Sequence, residues 1–397
     1  MKSILIAISI CCVSILSKLQ AQEINTDSII SLLVSDIEKD QVKERGEFYP
    51  GTFTSFRGAI TWPHNYKPDN NIFFTAIGNL TLKQLREKLS PAHQNIIDSI
   101  LSRSKKAFRF YQNKDSLPLY HFWPTGSKVL PHSFVLQHLS TILEFGEDAD
   151  DTVMLLMLQE NNDSINAYVK KRLLTASNMG IPTRKSWTTY KRFRNYKAYT
   201  TYFGIKMPVD FDFSVQCNVL YFNYEKKLPR NVNDSATLAL ISEMVRERLY
   251  MKNPIFISKY YGKSSVILYN LTRLMYAFHI PELEQYKPAI VADLKSILAK
   301  AKSPLEKVII QTSLLRLGEH PNMLTSREMQ EIRMIDQHKF SIFQARAPYF
   351  LATFLTNLTL RANIVNYNFY APTYDKILLL ENLVLRKNIN PSLAFQQ

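Results

Sequence analysis

Apolar residues recur along most of this chain at intervals of three and four, the spacing that aligns side chains on one face of an α-helix. Strict alternation of apolar and polar residues, which marks a half-buried strand, is scarce, and only 10 glycines occur. The pattern therefore predicts an all-α fold built from amphipathic helices. The clearest apolar stripes are Phe73, Ile77 and Leu80; Ile96, Ile97, Ile100 and Leu101; Ile267, Leu271, Leu274 and Phe278; Ile290, Leu294, Ile297 and Leu298; and Leu305, Val308, Ile309 and Thr312.

Short links separate these predicted helices. Ser90-Pro91 and Ser303-Pro304 each have the pattern of a capping residue followed by proline in the first helical turn. Helices joined by such short links pack antiparallel with their neighbours. We therefore expect residues 69–397 to form a single α/α toroid, a barrel of antiparallel helical hairpins with about ten to twelve helices. An α-solenoid of hairpins is the alternative.

The first 21 residues have the pattern of a secretory signal peptide. Lys2 precedes an apolar run from Ile4 to Leu16 that is too short to span a bilayer, and Ala21 offers a cleavage site. No later stretch is apolar enough to cross a membrane. We expect an exported protein, periplasmic or extracellular, that is either soluble or peripheral at a membrane. Residues 22–68 are predicted to be an irregular segment before the toroid domain.

Cysteine usage and charge narrow the classes of ligand. Cys11 and Cys12 fall within the predicted leader, so Cys217 alone can form neither an internal disulfide nor a zinc site with the scattered histidines. The formal net charge is +15, but most basic residues are dispersed. Together with export, this dispersal argues against a nucleic-acid partner. No nucleotide-binding fingerprint occurs, so we predict neither a cofactor nor a metal. The oligomeric state is left open.

The basic segment Lys191–Lys197 is the exception to this dispersal. It interleaves aromatic residues with cations, as in Lys191-Arg192-Phe193-Arg194. Such a segment suits an acidic glycan, a lipid head group or a phosphate. A solvated helix face is the other interpretation.

The segment Asp148-Ala149-Asp150-Asp151-Thr152 places three carboxylates in four positions, directly before an apolar run. Like charges held close together at the edge of a low-dielectric region raise the pKa of at least one carboxyl. A carboxyl with a raised pKa can act as a general acid near neutral pH. A helix N-cap cluster, or a solvated or metal-binding acidic turn, explains the same residues without catalysis.

A second acidic pair, Asp210 and Asp212, precedes a helix predicted to start near Ser214. A carboxylate at that position can cap the free N–H groups of the helix. Alternatively, Asp210 or Asp212 faces Asp150 across the barrel, and the two carboxyls act as acid and base on a glycosidic bond.

The order of these segments resembles the bacterial α/α-toroid proteins related to the terpenoid cyclase and prenyltransferase superfamily. Asp-x-Asp-Asp-Thr is the acid motif of class II terpene cyclases, and the resemblance covers the chain from about residue 70 onward. The sequence contains no Gly-Trp repeats of the squalene–hopene type, and from its length we expect one barrel where two-domain cyclases have two. The matching elements are Glu147 to Thr152, Trp187, the run from Val209 to Tyr221, Tyr260-Tyr261 and Leu268-Tyr269.

The resemblance implies roles for individual residues. Asp150 would protonate an alkene or epoxide, and Asp148 and Asp151 would tune its proton affinity. Three functions follow as hypotheses: a terpenoid-cyclase-like enzyme acting on an apolar isoprenoid or lipid, a glycan-active hydrolase or lyase that pairs Asp150 with Asp210 or Asp212, and a non-catalytic envelope scaffold that binds a small molecule. The candidate substrate-binding residues are Phe122, Trp123, Trp187, Asn218 and Tyr221.

Overall fold

A computed structural model describes residues 25–59, 66–127, 146–178, 186, 189–203, 209–334, 340–346 and 366–389. The predicted signal peptide and Trp187 lie outside these residues. The described residues are mostly helical, which confirms the predicted dominance of helices. The helices are α1 (Thr26–Asp40), α2 (Phe73–Leu85), α3 (Pro91–Ala107), α4 (Ala149–Met157), α5 (Asp163–Ala176), α6 (Phe213–Glu225), α7 (Val232–Arg246), α8 (Leu249–Lys252), α9 (Pro254–Ile257), α10 (Ser264–Ala277), α11 (Pro281–Glu284), α12 (Lys287–Leu298), α13 (Pro304–Arg316), α14 (Ser326–Met334) and α15 (Pro372–Ile389).

A small antiparallel sheet accompanies the helices, and the sequence did not predict it. Its strands are β1 (Phe56–Ala59), β2 (Lys67–Pro68), β3 (Phe343–Arg346) and β4 (Asn366–Tyr370), in the order β2-β1-β4-β3. Strands of two to five residues are too short to display a clear alternation of apolar and polar positions. Pairing of β1 with β4 joins two distant parts of the chain.

The segment predicted to be irregular, residues 22–68, contains α1 as well as β1 and β2. Helix α1 begins after Asn25, whose side chain accepts a hydrogen bond from the Ser28 amide. Its buried stripe, Ile30, Leu33, Val34 and Ile37, packs against α15. The prediction of an irregular segment was therefore wrong at α1, where the apolar residues have the spacing of a helix.

Two kinds of helix alternate along the chain. The outer helices α1, α3, α5, α7, α12 and α14 bury one stripe each, whereas the inner helices α2, α4, α6, α10, α13 and α15 are buried on nearly all sides. Each inner helix packs against the next inner helix, and α15 packs against α2, so these contacts form a closed circuit. Apolar residues occur on most faces of the inner helices, and polar side chains among them, such as Asn218 and Arg273, are buried as well.

The first turns of the inner helices lie at one end of the circuit. Ser258, shortly before α10, contacts the Ser214 hydroxyl of α6 at 3.1 Å, and Ser265 of α10 donates to Glu306 of α13 at 2.9 Å. The sheet lies at the same end, where the Gln344 amide donates to the Tyr260 carbonyl at 2.9 Å. We call this the acid end, defined by residues 148–151, 210–212 and 258–261. Among the described residues no helix combines the length and apolarity needed to cross a membrane.

Candidate functional site

Helix α4 begins with the acidic cluster. Asp148 has extended backbone angles and is the N-cap, and its carboxylate accepts a hydrogen bond from the Asp151 amide at 2.8 Å. Asp150 and Asp151 lie in the first turn, only 5% and 1% exposed, while Asp148 is half-buried. Asp148 therefore satisfies the helix end by itself. Capping accounts for neither the position nor the burial of the other two carboxyls.

Asp150 is held by two uncharged donors. The Asn218 amide nitrogen of α6 donates to Asp150 Oδ1 at 2.6 Å, and the Tyr261 hydroxyl contacts Asp150 Oδ2. Arg273 of α10 donates from Nη2 to Asn218 Oδ1. Because a guanidinium has donors only, the amide oxygen of Asn218 must face Arg273 and its NH₂ group must face Asp150. Each oxygen of Asp150 thus accepts one hydrogen bond, and a proton on this carboxyl must occupy a lone pair that neither Asn218 nor Tyr261 uses.

Burial and mutual repulsion make it unfavourable for all three carboxyls to be ionised. Burial raises the pKa of Asp150, although the hydrogen bonds from Tyr261 and Asn218 and the charge of Arg273 oppose this. Burial, and next the charge of Asp150, raise the pKa of Asp148 to about 7. Burial and the neighbouring Asp148 and Asp150 charges raise the pKa of Asp151 well above its usual range. The cluster can therefore hold a transferable proton at neutral pH.

Aromatic side chains from several elements meet beside Asp150. The ring of Phe343 in β3 lies 5.5 Å from that of Tyr261, 4.3 Å from that of Phe73 and 5.5 Å from that of Phe122, centroid to centroid. Phe122, a predicted binding residue, belongs to this group. Trp123 contacts the Phe122 ring at 4.7 Å. The acid therefore adjoins, through Tyr261, a cluster of aromatic rings, the type of side chain that can stabilise a cation.

Two further predicted binding residues, Asn218 and Tyr221, lie on α6. Tyr221 is three residues beyond Asn218, and its hydroxyl accepts from Gln84 at 2.8 Å. Its ring centroid lies 5.8 Å from the Arg273 guanidinium. Asn218 contacts Asp150 itself, so it is placed to orient the acid.

The second acidic pair is fully engaged. Asp212 is the N-cap of α6, and its carboxylate accepts from the Ser214 amide at 2.9 Å and the Ser258 hydroxyl at 2.7 Å. Burial raises the pKa of Asp212 to about 6, while the hydrogen bond from Ser258 opposes the shift. Asp210 forms an ion pair with Lys259, and both side chains are 0% exposed. These contacts correspond to the capping interpretation of Asp212 and give Asp210 a structural partner.

The sequence analysis missed Arg273 and Lys259 as members of this site. Each is a cation in an otherwise apolar stretch, which is a signal for a buried charge that needs a partner. Neither partner could be identified, because Asn218 and Asp210 are 55 and 49 residues away in the chain. Within the described ranges, no group of three or more His, Cys, Asp or Glu side chains is arranged to hold a metal ion.

Comparison of the chain with protein-family models, with curated proteins and with solved structures finds no match.

Proposed function

We propose that this chain is an exported α/α-toroid protein of the terpenoid-cyclase type, in which Asp150 is a Brønsted acid toward an apolar isoprenoid substrate. The observation that carries the proposal is the environment of Asp150. Its carboxyl is buried, its two donors are uncharged, and aromatic rings lie beside it. Burial favours the protonated form of such an acid, and the apolar surroundings exclude water from the cation that forms on proton transfer.

The helix arrangement supports the toroid. Outer and inner helices alternate in six successive pairs, α1 with α2, α3 with α4, α5 with α6, α7 with α10, α12 with α13 and α14 with α15. Closure of the inner circuit by α15 on α2 favours a toroid over an open solenoid, in which the first and last hairpins do not meet.

The chemistry follows from the Asp150 geometry. The proton of Asp150 adds to one carbon of an alkene, and the positive charge that forms on the other carbon faces aromatic rings. The cation then loses a proton, either directly to give an alkene or after water has added to give an alcohol, and that proton returns to the Asp150 carboxylate or to solvent. Asn218, oriented by Arg273, keeps Oδ1 as an acceptor and stabilises the carboxylate left behind.

Conversion in D₂O tests this proposal. Protein purified from cells that express the full chain is incubated with squalene or geranylgeraniol, and products are analysed by mass spectrometry. We expect a deuterium from Asp150 in each product and at least a 100-fold loss, roughly, in Asp150→Asn. Asp163→Asn, an exposed carboxyl in the first turn of α5, is the matched control and should retain activity. Equal deuterium incorporation by Asp150→Asn, or no conversion by any variant, contradicts the acid role.

A non-catalytic binding scaffold is the second candidate, favoured by the engagement of Asp148, Asp210 and Asp212 in caps and an ion pair. The same engagement weighs against a glycan hydrolase, which needs a second carboxylate free to act as base. Native mass spectrometry of protein isolated from its own envelope distinguishes the candidates. A lipid retained unchanged by both wild type and Asp150→Asn supports the scaffold, and a retained sugar supports the glycan hypothesis.

A further inference from the structure

Five cationic side chains are buried among the described residues, and four of them have a carboxylate partner. The pairs are Arg57 with Asp69 at 3.0 Å, Lys170 with Asp234 at 2.7 Å, Lys259 with Asp210, and Arg316 with Glu381 at 2.5 Å. The fifth is Arg273, which is 3% exposed and forms no ion pair within the described part of the chain. A buried cation without a counter-charge is unfavourable, so its retention requires an explanation.

The guanidinium of Arg273 has unused donors. Nη2 donates to Asn218, whereas neither Nε nor Nη1 has a hydrogen-bond partner among the described residues. A guanidinium presents five N–H groups in two adjacent pairs. Use of one Nη2 hydrogen leaves at least one of these pairs complete. A complete pair is the donor geometry that binds the two oxygens of a carboxylate or phosphate.

Contacts from non-adjacent helices place Arg273 inside the circuit. It belongs to α10, contacts Asn218 on α6, and has the Tyr221 ring of α6 5.8 Å away. Burial raises the pKa of Tyr374 on α15, and the charge of Arg273 is among the influences that lower it. Because α6 and α15 are not neighbours in the circuit, a side chain near both lies between them, in the interior.

We infer that Arg273 anchors the oxyanion head group, carboxylate or phosphate, of an amphipathic ligand whose apolar body occupies the inside of the helix circuit. The inference rests on the proposed function in one respect, that the ligand lies beside Asp150. It adds a head group that an isoprenoid hydrocarbon lacks. An anion on Arg273 also offsets the positive charge that opposes protonation of Asp150. Binding of the ligand therefore favours the acid form of Asp150.

Saturated probes test the inference without any turnover. Hexadecanoate, hexadecyl phosphate and hexadecanol share one apolar chain and contain no alkene, so Asp150 cannot act on them. We expect the two anions to bind the wild-type protein in calorimetry, and Arg273→Met to weaken that binding by about 10- to 100-fold. Affinity for hexadecanol should stay the same. Stronger binding of hexadecanoate indicates a carboxylate head group, and stronger binding of hexadecyl phosphate indicates a phosphate.

A matched pair of conservative variants separates binding from folding. Arg273→Lys keeps the charge but loses the paired donors, so anion affinity should lie between those of wild type and Arg273→Met. Arg316→Lys makes the same change at an arginine that Glu381 already engages, and it should not alter anion affinity. Without ligand, Arg273→Met removes an unpaired buried charge but also leaves Asn218 Oδ1 without its donor, so the Tm of each variant is measured to verify that it folds.

Three results would overturn the inference: anion affinity unchanged in Arg273→Met, a similar loss in Arg316→Lys, or no anion binding by wild type. A lower Tm for ligand-free Arg273→Met, with unchanged affinity, assigns Arg273 a purely structural role. If Asp150→Asn still binds the anions and no isoprenoid product contains deuterium, the general-acid role of Asp150 is refuted while anion binding at Arg273 is supported.

Discussion

The ion pair between Lys259 and Asp210 provides the sharpest test of whether the second acidic pair is structural. Lys259→Met keeps the length of the side chain and removes its charge. The Asp210 carboxylate then loses its cationic partner and retains a 3.3 Å hydrogen bond from the Thr201 hydroxyl. Both partners are 0% exposed, so solvent cannot compensate for the lost charge.

The expected loss follows from this burial. Removal of one partner from a buried pair costs about 3–5 kcal/mol, because a charge is left without compensation. Domains of this kind have a free energy of unfolding of about 5–15 kcal/mol, so the loss is a large fraction of the total. Replacement of both partners, in Lys259→Met with Asp210→Asn, removes the buried charge altogether. The double variant should regain most of the stability.

Urea unfolding followed by circular dichroism at neutral pH measures these free energies. Arg230→Met is the matched control, because Arg230 and Glu282 form a pair at 3.2 Å with 54% and 44% exposure. An exposed pair contributes less than about 1 kcal/mol. If Lys259→Met costs no more than Arg230→Met, or if the double variant is as unstable as the single one, Asp210 does not depend on Lys259. Its carboxyl is then available for catalysis, and the glycan hypothesis regains its base.

Three further predictions concern the acid end and one tight turn. Asp212→Ala removes the carboxylate that accepts hydrogen bonds from the Ser214, Val215 and Tyr260 amides and from the Ser258 hydroxyl. The free energy of unfolding in urea should therefore fall by about 2–4 kcal/mol. Asp212→Asn still caps α6, so its free energy of unfolding should fall by less. The pKa of Asp148 is raised in the folded state from 3.8 to about 7, so its neutral form stabilises the fold at low pH, and this contribution is lost as pH rises from about 4 to about 7. Asp148→Asn, which also caps, should show a smaller fall in urea midpoint over the same pH range. Gly51→Ala should lower the Tm much more than Gly126→Ala does. Both glycines have positive φ (91° and 81°), but only at Gly51 would an added Cβ overlap the Arg103 carbonyl. Similar Tm values for the two variants would show that the overlap is relieved by movement.

Local sequence patterns predicted the helices well, because their information lies within a few turns of chain. Ile267, Leu271 and Leu274 fall on α10 and are buried, and the helix expected near Ser214 begins at Phe213. The same stripe did not indicate that α10 is buried on nearly every side, because that burial comes from helices elsewhere in the chain. Amphipathic spacing alone thus separates helix from strand, but not inner helices from outer ones.

The sequence predicted the part of the candidate site whose residues are neighbours in the chain. Asp148, Asp150 and Asp151 adjoin one another in sequence, so their repulsion could be recognised from the residues themselves. Tyr261, the partner of Asp150, is 111 residues away, and Phe343 comes from a strand of four residues that has no clear pattern. Contacts of such separation depend on closure of the helix circuit, which no window of the sequence contains.

The cap explanation and the acid explanation divide the aspartates between them. A carboxylate near a helix N-terminus gains about 0.3–1 kcal/mol from the helix dipole, and one good cap contributes roughly as much again. Asp148 at α4 and Asp212 at α6 obtain both benefits, so their presence needs no catalytic reason. Burial opposes the ionisation of all four carboxyls, but Asp150 and Asp151 lie beyond the cap, and no hydrogen-bond donor in the described structure reaches either oxygen of Asp151. Burial of a carboxyl without hydrogen-bond donors costs more free energy than the helix dipole contributes. Selection for stability alone therefore does not explain two further acids in one helical turn, and the proposed acid role is the hypothesis that would account for them.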